Sequence, residues 1–113
     1  MATNQYKFYG TTLTTTDATT LLTPSAAGAG AVETFIIKSF RVTNNTGNTP
    51  TITITNNDIN IMNAQTLVAN ASTEILTLPL IVESSKSIKV TMSSTDSVSI
   101  GISYLNITQE VTV

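Results

Sequence analysis

The sequence predicts an all-β protein: an antiparallel two-sheet β-sandwich, jelly-roll-like, of about eight strands. Three observations carry this. About one residue in five is Thr, and much of it alternates with Ile, Val or Leu, most cleanly in Thr51-Ile52-Thr53-Ile54-Thr55. β-branched side chains are stiff at their first torsion and suit a pleated backbone. Alternation sends hydroxyls to one face and aliphatic groups to the other, which describes a half-buried strand. Finally, turn residues (Gly, Asn, Pro, Ser) separate most of these short runs, and no stretch has a helical period. An immunoglobulin-like sandwich is the second choice, weakened because the chain has no Trp and no Cys.

Residues 1–16 read as an N-terminal arm or edge strand, and residues 17–113 as a single β-sandwich domain. In the first segment Tyr6 and Phe8 share a face at period two, and Tyr9 has the opposite parity. Ala18 to Thr23 can form a second strand, ended by Pro24. The run from Ser25 to Ala31 is a small-residue turn. It lacks the Lys-Ser/Thr ending of a phosphate-binding loop, and nothing helical follows it.

Thr34 to Thr43 is the most apolar strand. Both its faces carry apolar residues, which suggests a central position. Asn44 to Asn48 is a turn, since Asn and Gly tolerate positive φ, and Thr51 to Thr55 is expected to return as the hairpin partner of the preceding strand. Asn56-Asn57-Asp58 turns again before Ile59 and Ile61. Asp58 and Asn60 have no further spaced carboxylates with which to build a calcium loop, so they read as turn residues.

Thr73 to Leu78 leads to Pro79, which cannot donate to a ladder, so the segment through Leu80-Ile81-Val82 bends there or lies at an edge. Ile88, Val90 and Met92 share a face of the next strand. Val98, Ile100, Ile102 and Tyr104 share a face of the longest one, while Leu105 and Ile107 have the other parity. Gly101 marks a bulge or a close approach. In the tail, Val111 and Val113 still alternate. The expected core is Phe35, Ile37, Phe40, Val42, Ile52, Ile54, Ile75, Ile88, Val90, Ile100, Ile102 and Tyr104, with the register of the central strand open by one residue.

At 113 residues the chain is the size of one domain, large enough to bury a core without covalent staples. It has neither Cys nor His, which removes disulfides, thiolate metal sites and the commonest general base and metal ligand. No cofactor is expected. The cations Lys7, Lys38, Arg41, Lys86 and Lys89 are scattered and outnumbered in a chain of net charge -2, so no nucleic-acid partner is expected. No apolar run approaches the length of a membrane span, so no membrane partner is expected either. No signal peptide is expected at the start of the chain, and synthesis in a cytoplasm is the expectation that goes with it. Sequons at Asn44, Asn70 and Asn106 then read as turn and strand residues.

Paired-carboxylate hydrolysis is the one enzyme class the residue types permit. The acids Asp17, Glu33, Asp58, Glu74, Glu83, Asp96 and Glu110 mostly sit in or beside turns, where solvated charge is the simpler explanation. No enzyme is expected. Short Thr, Ser and Asn side chains lose little rotamer entropy when packed, which suits a subunit ordered within a larger assembly.

The chain also resembles the small all-β virion proteins of tailed bacteriophages over residues 20–108. The pattern begins with Leu22-Thr23-Pro24 before a loop and continues with the strand from Phe35 to Asn44. It runs on through an alternating Thr/Ile strand, then Asn70-Ala71-Ser72-Thr73 ahead of a Leu-Pro-Leu-Ile-Val-Glu segment. It closes on Ser87-Ile88-Lys89-Val90 and on Ser103 to Thr108. The loop from Ser25 to Ala31 is longer and richer in Ala than the short Pro-Ala-Gly type of such proteins. The resemblance implies a structural role on a virion and no catalytic residue. A capsid decoration or head-auxiliary protein that binds the major capsid protein is the first expectation. A tail, neck or fibre component is the second, and a carbohydrate-binding or surface adhesion module the third. Self-association, with a trimer as the expected state, follows from sheet edges that carry few charges. Tyr6, Phe8 and Tyr9, half of the chain's aromatics, are the expected partner-binding residues.

Overall fold

Hydrophobic alternation closes this chain into two antiparallel sheets around one core. The computed structural model describes residues 2–25 and 31–110. Its strands are β1 (Ala2–Leu13), β2 (Thr19–Leu22), β3 (Ala31–Asn44), β4 (Thr51–Asn56), β5 (Ile59–Thr66), β6 (Ser72–Glu74), β7 (Leu80–Val82), β8 (Ile88–Met92) and β9 (Val98–Glu110). Most of the small-residue turn from Ser25 to Ala31, and Val111 and Val113 of the tail, lie outside the described residues.

One sheet, called A below, has the order β1-β9-β3-β6, with β7 also paired to β3. The second, sheet B, has the order β2-β8-β4-β5. Taking β6 and β7 as one interrupted strand leaves eight strand positions in two four-stranded sheets, the jelly-roll arrangement. The interruption falls around Pro79. β6 pairs with Arg41–Thr43 and β7 with Phe35–Ile37, so proline lies in a gap on the outer border of sheet A.

β3 and β4 do not form the expected hairpin. β3 lies between β9 and the β6/β7 border of sheet A, whereas β4 lies between β8 and β5 of sheet B. The connection therefore crosses from one sheet to the other. Val42 and Ile52 are both buried and face a common core from opposite sides, which hairpin pairing would not require. Asn44 holds the crossing. Its side-chain amide donates to the carbonyls of Asn48 (2.7 Å) and Val68 (3.3 Å), and its Oδ1 accepts from the Thr46 amide (3.0 Å) and hydroxyl (2.8 Å). The true hairpin is β4–β5, where Asn57 and Asp58 both take positive φ (54° and 62°), the pattern of a tight two-residue turn.

The register question in the central strand is resolved by a bulge. Between Ile37 and Ser39 the β3–β9 pairing shifts by one residue at Lys38. Phe35 and Ile37 point inward before it, and Phe40, Val42 and Asn44 after it. A strand with inward residues on both parities is the result. Of the expected core side chains, Ile75 alone is half-buried, packed against the cluster from outside. Leu13, Leu21, Leu22, Leu67, Val82, Met92 and Val98 join the buried set.

β1 pairs with β9 along its entire length, from Ala2 opposite Gln109 to Leu13 opposite Val98. β1, β9 and β3 are much longer than the strands of sheet B, and the molecule is drawn out to 53 × 22 × 20 Å.

Candidate interaction face

The outward face of sheet A is where the expected partner-binding residues meet unexpected ones. Leu13 is buried and Tyr9 packs half-buried against the core, so odd positions of β1 point inward. Tyr6 and Phe8 therefore point out, and they are 80% and 70% exposed. Tyr9 is not brought to this surface, because neighbouring residues of a strand take opposite sides.

The strand pairing sets the outward residues in rows. Tyr6 stands opposite Leu105, Leu105 opposite Ile36, and Ile36 opposite Ile81. This is an apolar stripe running across four strands on a face turned to solvent, where polar residues are the rule for an antiparallel sheet. Ile81 is 57% exposed, and Leu105 and Ile36 are half-buried by their neighbours. One row toward the chain start, Ile107 stands opposite Asn4 and Thr34.

On the other side of the stripe the rows turn small and polar. They run Phe8–Ser103–Ser39, then Gly10–Gly101–Arg41–Glu74, then Thr12–Ser99–Thr43–Ser72. The hydroxyls there pair with one another: Thr12 with Ser99 at 3.2 Å and Thr43 with Ser72 at 2.8 Å. The small side chains leave a shallow groove of about 450 Å³. Phe8 walls it on one side and Arg41 on another, and Ser103, Ser99 and Gly101 lie along it.

Glu74 belongs to the border of this face. It accepts from the Ser39 hydroxyl and from the amides of Phe40 (2.6 Å) and Leu76 (3.3 Å). Partial burial works against its ionisation, but these hydrogen bonds and the charge of Arg41 outweigh it, and its pKa lies below the usual carboxylate value. Arg41 and Glu74 are neighbours in the register, so the row that holds them has no net charge.

Glu33 does a different job at the projecting end of the sheet. Its carboxylate accepts from the Ser25 amide (3.0 Å) and from the side-chain amide of Asn106 (2.8 Å). The Ser25 bond leads in lowering its pKa, with help from Asn106 and Lys7 against a smaller effect of burial. The Ser84 hydroxyl donates to the Glu33 carbonyl. Burial, with the nearby charge of Glu33, pushes the Tyr104 phenol up. A second hollow of about 190 Å³ lies between Asn57, Asp58 and Lys89, where Lys89 and Asp58 approach to 3.9 Å.

Among the described residues no three acidic side chains converge on one point, and no helix is long and apolar enough to cross a membrane. The face and the strand order define a jelly-roll β-sandwich with a partly apolar outer sheet. In comparison with known proteins, the chain matches no family model and no curated protein.

Leu105, Ile36 and Ile81 were not expected at a binding surface. The signal for the first two was present in the sequence as a break in alternation, since β3 and the end of β9 are apolar on both parities. Their alignment with Tyr6 needs the register, which no single segment contains.

Proposed function

We propose that this protein is a non-enzymatic structural subunit of a bacteriophage particle, a decoration or head-auxiliary protein seated on the major capsid lattice. The observation that carries this reading is the stripe Tyr6–Leu105–Ile36–Ile81 on a face open to solvent. Contiguous exposed apolar surface rimmed by polar groups marks a surface that works by being covered. The rest of the skin is short hydroxyl and amide side chains, which order at small entropic cost. The resemblance of its strand-and-turn pattern to that of small virion proteins supports the same reading.

The test is quantitative electrophoresis of purified particles, combined with re-addition of the chain to particles stripped of it. A decoration protein is present in hundreds of copies and rebinds the shell. A dozen or fewer copies would assign it instead to a neck, tail or fibre ring. Absence from particles, with no rebinding, would refute the virion reading.

A further inference from the structure

A border strand of an open sheet offers unpaired N–H and C=O groups to any other strand, and proteins blunt such borders by length, bulges, proline or charge. Among the described residues three of the four sheet borders are blunted. β2 has four residues and a break in its register with β8. β5 meets β4 through two irregularities, and Ala64 within it takes positive φ (49°). β6 and β7 have three residues each and are interrupted around Pro79. β1 is the exception. It has 12 residues, about twice the usual strand length, with an unbroken register against β9, no Pro, and Lys7 as its one charge. We infer that the free border of β1 pairs antiparallel with β1 of a second copy, about a two-fold axis normal to sheet A. The inference goes beyond the virion reading and does not depend on it.

The occupant follows from the same comparison. Strand addition along the whole of β1 needs a partner edge that is itself long, regular and nearly uncharged. Among the described strands β1 alone offers one, so the strand of this chain that fits β1 is β1. In an antiparallel ladder alternate residues turn their backbone groups to opposite neighbours, so β1 can pair with β9 and with its copy together. An isologous pair of this kind covers both free borders at once and grows no open filament.

Two registers give the longest overlap, with either Lys7 or Phe8 on the axis. The first sets two ammonium groups face to face, and like charges directly opposite are destabilising. The second pairs Thr3 through Leu13 of the two copies. It places Lys7 opposite Tyr9, Tyr6 opposite Gly10 and Asn4 opposite Thr12. Lys7 and Tyr9 share the inward side of the strand, where an ammonium beside an aromatic ring is favourable. Gly10 has no side chain to obstruct Tyr6, which comes beside the Phe8 ring that covers Gly10. The axis leaves both stripes Tyr6–Leu105–Ile36–Ile81 on one side of the pair, open to a further partner. Edge pairing buries little side-chain area and draws on main-chain hydrogen bonds, so the product is a weak two-fold dimer in place of the trimer expected from the sequence.

The closing experiment uses the full chain in sedimentation equilibrium up to about 0.5 mM, a range that captures weak pairing. The wild type is expected to pass from monomer to dimer. Asn4 and Thr12 are exposed and lie about 27 Å apart within one copy, yet they face each other across the pair. Asn4→Glu with Thr12→Glu should weaken pairing by about tenfold, whereas Asn4→Lys with Thr12→Glu should keep or strengthen it, with melting temperature as the control for folding. The chain has no Cys, so a mixture of Asn4→Cys and Thr12→Cys chains should cross-link with a short bismaleimide, and Thr12→Cys chains alone should not. A monomer throughout, a trimer, a dimer indifferent to the charge pairs, or equal cross-linking of Thr12→Cys chains alone would overturn the inference. A monomer whose double glutamate variant fails to coat particles would overturn it too, and would assign the border to a strand of the shell. Particle rebinding of the wild type is read separately. A monomer that coats particles would overturn the dimer and leave the virion reading standing, whereas a dimer that ignores particles would do the reverse.

Discussion

The ring of Phe8 lies over Gly101 on the outer surface of sheet A. A Cβ at Gly101 would meet ring carbon Cε1 at 3.1 Å, and one at Gly10, the residue paired with Gly101, would meet Cε2 at 2.9 Å. Two facing glycines thus leave a bare stretch of backbone, and an aromatic ring two residues away covers it, a known way of shielding glycine in a sheet. Phe8→Ala is expected to cost about 1 kcal/mol through the lost cover. Gly101→Ala should turn the ring away and leave stability within about 1 kcal/mol, because the far end of an exposed side chain can move. Aromatic chemical shifts of Phe8 and urea melts check both.

Ile54 and Ile100 are buried on opposing sheets, in β4 and β9. Truncation of either to Ala should destabilise the fold by roughly 2–5 kcal/mol, the range for buried aliphatic side chains. Ile75→Ala should cost clearly less, since Ile75 packs against the core from outside. Equal losses at all three positions in denaturant titrations would contradict the sheet assignment.

Asn44 satisfies two carbonyls and one amide at the crossing between the sheets, and it is almost fully buried. Asn44→Ala leaves those groups without partners, at about 1–3 kcal/mol for each one that water cannot reach. Asn44→Asp should be worse, because it aims a charge at two carbonyl oxygens. Thermal melts of the two variants order these costs.

Both Glu33 and Glu74 have folded-state pKa values lowered from 4.5. A depressed pKa contributes stability that is fully present above the unfolded value and is lost as pH falls through the folded one. Stability should therefore hold near neutrality and decline once pH drops below about 4.5. Glu33→Gln should flatten that decline and lower stability at neutral pH. Melting curves from neutral pH to about pH 3 measure both slopes.

Residues 3–8 of β1 are exposed, so they add nothing to the core, although they hydrogen-bond β9. Removal of residues 1–8 is expected to leave the sandwich folded and bare the β9 edge. Amide exchange at Ser103 to Thr108 should quicken in the shortened chain, whereas the exchange of β4 and β8 should stay slow.

The sequence by itself determined most of the strands, many of their inward residues and most of the turns, because these depend on local alternation and on residues such as Asn57 and Pro79 that constrain their own backbone. It also exposed the places where alternation fails, at Ile36 and Leu105, without saying why. Only the tertiary structure decided which strands are neighbours. The segment from Asn45 to Pro50 could close a hairpin or cross between sheets with the same turn residues, and the choice belongs to the burial of Val42 and Ile52 in one core from opposite sheets. The bulge at Lys38 was likewise decided by pairing with β9, since an extra residue has meaning only against a partner strand. The apolar stripe comes from the same source: Tyr6, Leu105, Ile36 and Ile81 are separated along the chain and become one surface through inter-strand register alone.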